Sequence, residues 1–185
     1  HTKGMMILTS YFKEHFAHNK PLSLEATICF EQSYGMVEGD SASAAELLAL
    51  LSVIGKVPLF QGIAITGSVS QKGEIQPIGG VNQKIEGFFR ICETKGLTGK
   101  QGVIIPKRNV RNLMLKEDII EAVKKGDFSI WAVETIEQAI EIMTGKPAGK
   151  LQPDGKYPEG SVFSQVDMAL EKMAERAKSF EKEEK

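Results

Sequence analysis

The stretch "GVIIPKRNVRNLMLKEDIIEAVKKGDFSIWAVETIEQAIEIMTG" (102–145) decides the fold class. "GVIIP" (102–106) is a short apolar run closed by a proline, the signature of a buried strand. "NVRNLMLKEDIIEAVKKG" (109–126) reads as mostly helix, ended by Gly126. "FSIWAV" (128–133) is rich in aromatic and β-branched residues and reads as a second strand. "TIEQAIEIMTG" (135–145) has helical spacing, with Thr135 placed to cap its first turn. Strand, helix, strand, helix in succession predicts a mixed α/β layering.

Working back toward the N-terminus, "VNQKIEGFFRICETKG" (81–96) is an amphipathic helix. Val81, Ile85, Phe88, Phe89 and Cys92 lie on its apolar side, and Gly96 follows as a stop. "GIAITGSVS" (62–70) and "GEIQPIGG" (73–80) flank the turn "QKG" and predict a hairpin. "AAELLALLSVIG" (44–55) is a buried helix. "LSLEATICFEQS" (22–33) alternates Leu22, Leu24, Ala26, Ile28 and Phe30 on one side, which predicts a half-buried strand with Cys29 turned toward the core. "GMMILTSYFKEHFAHNKPL" (4–22) approximates a helix ended by "NKP". Beyond residue 145, "KPAGKLQPDGKYPEG" (146–160) has the composition of a linker. "SQVDMALEKMAERAKSFEKEEK" (164–185) carries one apolar stripe on a charged helix. Residues 1–149 thus read as the main domain and 150–185 as linker plus amphipathic helix.

The totals narrow the function. A formal charge of −1 gives no long-range attraction to nucleic acid, and "PKRNVR" (106–111) reads as solvated surface. Two cysteines do not make a disulfide framework and fit a reducing, cytoplasmic setting. No run approaches the ~20 apolar residues of a membrane span. The start "HTKGMMILTS" resembles that of an excised fragment. His15 and His18 are three apart, but no further ligand stands at a metal-binding spacing, so no metal is expected. Gly79–Gly80 lacks the spacing of a phosphate loop, and no cofactor is expected either.

The chemistry concentrates in "VEGDSASAAELLALL" (37–51). A serine hydroxyl needs a base to become a nucleophile. The three histidines all fall in the first 18 residues and lend Ser41 no support. The alternative base is a lysine. Its ordinary pKa of ~10.4 must fall, which burial among apolar groups achieves. Lys84, between Val81, Ile85 and Phe88, is the candidate. Gly39 allows a sharp bend before the serine. The first amides of the helix that follows could hold an oxyanion. Against this, Ser43 with Glu46 fits a capping box, in which case Ser41 is only a loop hydroxyl.

Four ordered motifs decide between these readings. "EGDSAS" (38–43), "TGS" (66–68), "PIGGVNQK" (77–84) and "VIIPKRN" (103–109) together resemble the proteolytic domain of Lon proteases, and most closely the LonB-type branch. Lys84 lies 43 residues after Ser41 and Thr66 lies 25 after it, the spacings of the family. The resemblance implies an α+β fold, mixed α/β layers like those of domain 2 of ribosomal protein S5. It also implies an ATP-dependent serine endopeptidase with Ser41 as nucleophile, Lys84 as general base and Thr66 orienting the lysine. Gly39 and Asp40 would support the loop. Glu38 would occupy a position whose carboxylate can pair with the lysine in inactive forms. The implied partners are unfolded polypeptide and an AAA+ ATPase module of the same parent chain, which would hold ATP and Mg, within a homo-hexamer. The strand before the serine loop lacks the histidines of the LonA type. The rival function is a Lon-like oligomerisation or substrate-gating module without cleavage.

Overall fold

The computed structural model describes residues 2–31 and 39–183. Its elements are α1 (Thr2–Phe16), α2 (Ser43–Gly55), β1 (Ile63–Ile65), β2 (Ser68–Val69), β3 (Ile75–Gln76), α3 (Val81–Lys95) and β4 (Gln101–Pro106). A 3-10 segment (Lys107–Asn112), α4 (Glu117–Lys125), β5 (Phe128–Val133), α5 (Ile136–Thr144) and α6 (Val162–Glu183) follow. β1, β4 and β5 form a parallel sheet in the order β1-β4-β5, and β2 pairs with β3 in an antiparallel ribbon.

The period-2 pattern of the parallel strands separates two cores. Ile63, Ile65, Ile104, Trp131 and Val133 face a core built from α1, α2, α5 and α6, which includes Leu8, Phe16, Leu47, Leu51, Ile140 and Val166. Ala64, Val103, Ile105, Phe128 and Ile130 face a second core with Ile85, Phe89 and Cys92 of α3 and Ile119 and Ala122 of α4. A sheet covered on both faces explains why β4 reads as a continuous apolar run. The result is a helix–sheet–helix sandwich, the mixed α+β class that the resemblance implies. Burying each large aliphatic or aromatic side chain contributes about 1.5–3 kcal/mol.

Gly102 sits where β4 is squeezed between its neighbours. A Cβ there would collide with the Ser129 carbonyl and the Trp131 ring. Glycine lets β5 and its indole approach closely.

Several sequence expectations are corrected. Residues 21–30 form no strand. Leu22, Leu24 and Ile28 pack on the first core, but Ala26 and Phe30 are exposed, and Cys29 is exposed rather than in the core. The expected hairpin is shorter: the residues before Thr66 leave it to join the parallel sheet. The helix expected from 109 begins only at Glu117, after the 3-10 segment. The Pro/Gly-rich segment 146–160 is anchored to the body. Ala148 and Tyr157 are buried, and the Tyr157 hydroxyl donates to the His15 carbonyl at 2.7 Å. α6 then lies along α2. Thr135 caps α5 as expected, accepting from the Gln138 amide. Among the described residues, no helix is long and apolar enough to cross a membrane.

Candidate active site

Three elements bring the candidate residues together. The loop before α2 carries Ser41, the end of β1 leads into Thr66, and the first turn of α3 carries Lys84. Lys84 Nζ donates to Ser41 Oγ at 2.9 Å and to Thr66 Oγ1 at 3.3 Å. Thr66 Oγ1 in turn donates to the Ser41 carbonyl at 3.4 Å. The three residues that the motifs single out form one hydrogen-bonded cluster.

The serine loop is held from several sides. The Gly67 amide donates to the Ser41 carbonyl at 2.9 Å, and the Ala44 amide donates to the Gly67 carbonyl at 3.1 Å. These two bonds zip the loop to the chain after β1. The Thr66 amide donates to the Ile104 carbonyl, so β4 sets the height of the threonine. Ser68 Oγ donates to Asp40 Oδ2 at 2.9 Å. Gly39 has φ +80, a left-handed conformation that glycine adopts without strain, and so supplies the bend expected of it.

Ser43 is no capping-box residue. Its hydroxyl donates to the Asp40 carbonyl at 2.8 Å and accepts from the Val69 amide at 3.0 Å. α2 begins after Ala42 with no side-chain cap. Tertiary partners have taken the hydroxyl that the local pattern assigned to the helix. The amides expected to wait for an oxyanion are also occupied: Ser43 N–H by the Asp40 carbonyl, Ala44 N–H by Gly67 and Glu46 N–H by Ala42.

Lys84 departs from expectation in one respect. Its backbone follows the buried Val81 and precedes the buried Ile85, but its own side chain is exposed in the single chain. Among the described residues, the apolar enclosure expected around the amine is absent. Glu38 lies outside the described residues. Cys92 is buried, and burial pushes its thiol above the ordinary value, which suits a core residue. His15 stacks on Tyr11 at 3.9 Å between ring centroids and lies 3.6 Å from Glu137, a packed helix residue. Among the described residues, no group of three or more His, Cys, Asp or Glu side chains is placed to hold a metal.

Two residues to which spacing assigned no role belong to the site's frame. Asn82 Nδ2 donates to the Asn112 carbonyl, and its Oδ1 accepts from the Met114 amide. Asn109, within the run 106–111 that reads as solvated surface, is buried and bonds the main chain of Ile78 in both directions. The signal available for Asn109 was its place at the end of the motif "VIIPKRN" (103–109), and its burial explains why both its amide groups are bonded.

Residues 24–145 match the model of the Lon protease (S16) C-terminal proteolytic domain. The chain belongs to this family. It is 51% identical to a Lon protease homolog of Escherichia coli strain K12 over 143 residues, covering 77% of the chain and 24% of that protein. It is 49% identical to a Lon protease homolog of Haemophilus influenzae, covering 79% and 24%. An archaeal Lon protease of Thermococcus kodakarensis is 41% identical over 61% of the chain and 16% of its own length. The chain therefore spans about a quarter or less of these Lon relatives. The matched region includes Ser41, Thr66 and Lys84.

Proposed function

We propose that this Lon domain hydrolyses peptide bonds with Ser41 as nucleophile and Lys84 as general base. The observation that carries this reading is the 2.9 Å contact between Lys84 Nζ and Ser41 Oγ, within the range required for proton transfer. Neutral Lys84 takes the hydroxyl proton as Ser41 Oγ attacks the scissile carbonyl carbon. When the tetrahedral intermediate collapses, the C–N bond breaks and the Lys84 ammonium gives its proton to the leaving amine. The acyl-enzyme is then attacked by water, with Lys84 again taking the proton and returning it to Ser41. Backbone N–H groups of the loop other than those of Ser43, Ala44 and Glu46, which are already bonded, stabilise the oxyanion. Thr66 orients the amine, and Gly39 and Asp40 hold the loop. The covering that Lys84 lacks in the single chain is supplied by bound substrate and by assembly.

Residues 1–149 form the proteolytic domain in this reading, and 150–185 a C-terminal extension. The substrates are unfolded polypeptides fed by an AAA+ ATPase module of the parent chain. ATP and Mg bind in that module, the assembly is hexameric and cytoplasmic, and this domain needs neither cofactor nor nucleic acid. The test is hydrolysis of a fluorogenic peptide by the domain joined to its ATPase module, comparing wild type with Ser41→Ala and Lys84→Ala. Loss of about 10²-fold or more in kcat for each variant is expected. Full turnover by either variant overturns the assignment, and a silent wild type favours the gating module.

A further inference from the structure

We infer that Asn109 and Asn82 position Lys84, by clamping the Gly79–Gly80 turn and the first turn of α3 to residues 109–114. The inference rests on the reading of Lys84 as the base.

The need for a clamp follows from how α3 starts. Its N-cap is Gly80 at φ +68, and no side chain caps the helix. Two consecutive glycines precede a helix whose fourth residue must meet Ser41 within hydrogen-bond reach. Glycine fixes the backbone poorly, so the local sequence does not aim this helix. Among the described residues, the Lys84 amide makes only the helix's own bond to the Gly80 carbonyl, at 3.1 Å.

Aim comes from the other chain segment. The Ile78 amide donates to Asn109 Oδ1 at 3.0 Å, and Asn109 Nδ2 donates to the Ile78 carbonyl at 2.9 Å. The side-chain amide thereby replaces a strand partner for the residue before the glycines. It is 3% exposed, so these bonds are shielded from water. On the other side of the glycines, Asn82 Nδ2 donates to the Asn112 carbonyl at 2.9 Å, and the Met114 amide donates to Asn82 Oδ1 at 2.8 Å. The turn is gripped before and after its flexible point. Both grips lead to the segment that continues β4, and β4 also holds Thr66 through the Ile104 carbonyl. One stretch of chain, 104–114, therefore registers both the threonine and the lysine against Ser41.

Asparagine is required chemically at 109. The site offers one N–H and one C=O, and only an amide presents an acceptor and a donor side by side. Aspartate keeps the bond from the Ile78 amide but sets a carboxylate oxygen against the Ile78 carbonyl. The shape hardly changes, while the grip reverses sign on one side.

The experiment compares Asn109→Asp and Asn82→Ala with wild type in the domain joined to its ATPase module. It measures kcat and KM for a fluorogenic peptide across pH. In the chain alone, it follows the Lys84 titration by NMR of 13C-labelled lysine. An ångström-scale displacement of a catalytic group costs on the order of 10²-fold, so kcat is expected to fall about 10- to 100-fold with KM nearly unchanged. The pH profile and the Lys84 titration move together. Ile140→Val, in the core remote from the site, serves as a control for lost stability and leaves all three readouts in place. Variants that lower the melting temperature yet keep wild-type kcat and Lys84 titration overturn the inference. If Asn109→Asp fails to fold, Asn82→Ala decides by the same criteria. Ser41→Ala and Lys84→Ala in the same series separate the two failures. Silent dyad variants beside fully active asparagine variants sink the clamp alone, whereas active dyad variants sink the dyad.

Discussion

Lys84 Nζ and Ser41 Oγ, 43 residues apart in the chain, meet at 2.9 Å on a frame assembled from both sides of one parallel sheet. Ser41 precedes α2, which packs in the core on one face. Lys84 rides on α3, which packs in the core on the other. The contact is therefore a product of tertiary structure, made at an edge where the two layers converge, and it is sensitive to whatever changes their relative height.

Thr66 is the residue through which that height is set, which gives the first prediction. It is buried, receives the lysine amine at 3.3 Å and donates to the Ser41 carbonyl at 3.4 Å. Thr66→Val keeps the shape and the backbone bond to Ile104 but removes the hydroxyl. Peptidase kcat of the assembled enzyme is expected to drop about 10-fold, with a small change in melting temperature. Unchanged kcat would show that the lysine needs no orienting partner.

How much of this could be read in advance depends on what each residue answers to. β4 and β5 are legible because strands buried on both faces must be apolar throughout, and α3 because one side must be. The meeting of Ser41, Thr66 and Lys84 was legible through motif spacing, not through periodicity. The misreadings share a cause. The alternation of Leu22, Leu24 and Ile28 describes a face, but a strand also needs a partner for its backbone, and none pairs with it among the described residues. Ser43 and Glu46 fit a cap locally, yet the Val69 amide and the Asp40 carbonyl compete for the hydroxyl and win. Tyr157 reads as part of a linker because Pro and Gly surround it, while its ring packs against Phe16 and Phe163 at 5.6 and 5.5 Å. Local pattern reports propensity, and long-range partners override it.

Ser43 supplies the second prediction. Its hydroxyl is the only side-chain link between the Asp40 carbonyl and the Val69 amide among the described residues. Ser43→Ala leaves a buried N–H without its partner, which costs about 1–3 kcal/mol. Thermal or denaturant unfolding of the chain measures this directly. Because the same bond ties the serine loop to β2, kcat is expected to fall as well. A variant as stable as wild type would mean that Val69 finds another acceptor.

Gly102 gives the third. The crowding by Ser129 and Trp131 involves main chain on one side, so it cannot be relieved by a rotamer change. Gly102→Ala should push β5 away from β4 and destabilise by about 1–3 kcal/mol, or abolish folding. Trp131→Leu removes the ring but not the Ser129 carbonyl, so it should rescue the variant only in part. Full stability of Gly102→Ala would contradict the tight register of the two strands.

Glu46 carries the fourth, through pH. It is 8% exposed on α2, and its carboxylate makes no hydrogen bond or ion pair among the described residues. It lines a cavity of about 220 Å³ with Lys3, Gly39, Asp40 and Ser43. Burial pushes its carboxyl above the ordinary 4.5, because the charged form loses solvation. A group whose pKa is raised by folding favours the folded state below its unfolded pKa, and that advantage disappears as pH climbs through the folded value. Near neutrality wild type therefore carries a buried charge that folding disfavours. Glu46→Gln removes the charge at nearly constant shape. Its melting temperature should exceed that of wild type at pH 7, and the difference should shrink as pH falls toward 4.5 and close below it. Paired melting curves across this range decide the matter. A variant that melts below wild type at pH 7 would mean that the carboxylate has a cationic partner in the folded chain, and that its charge stabilises the loop it faces.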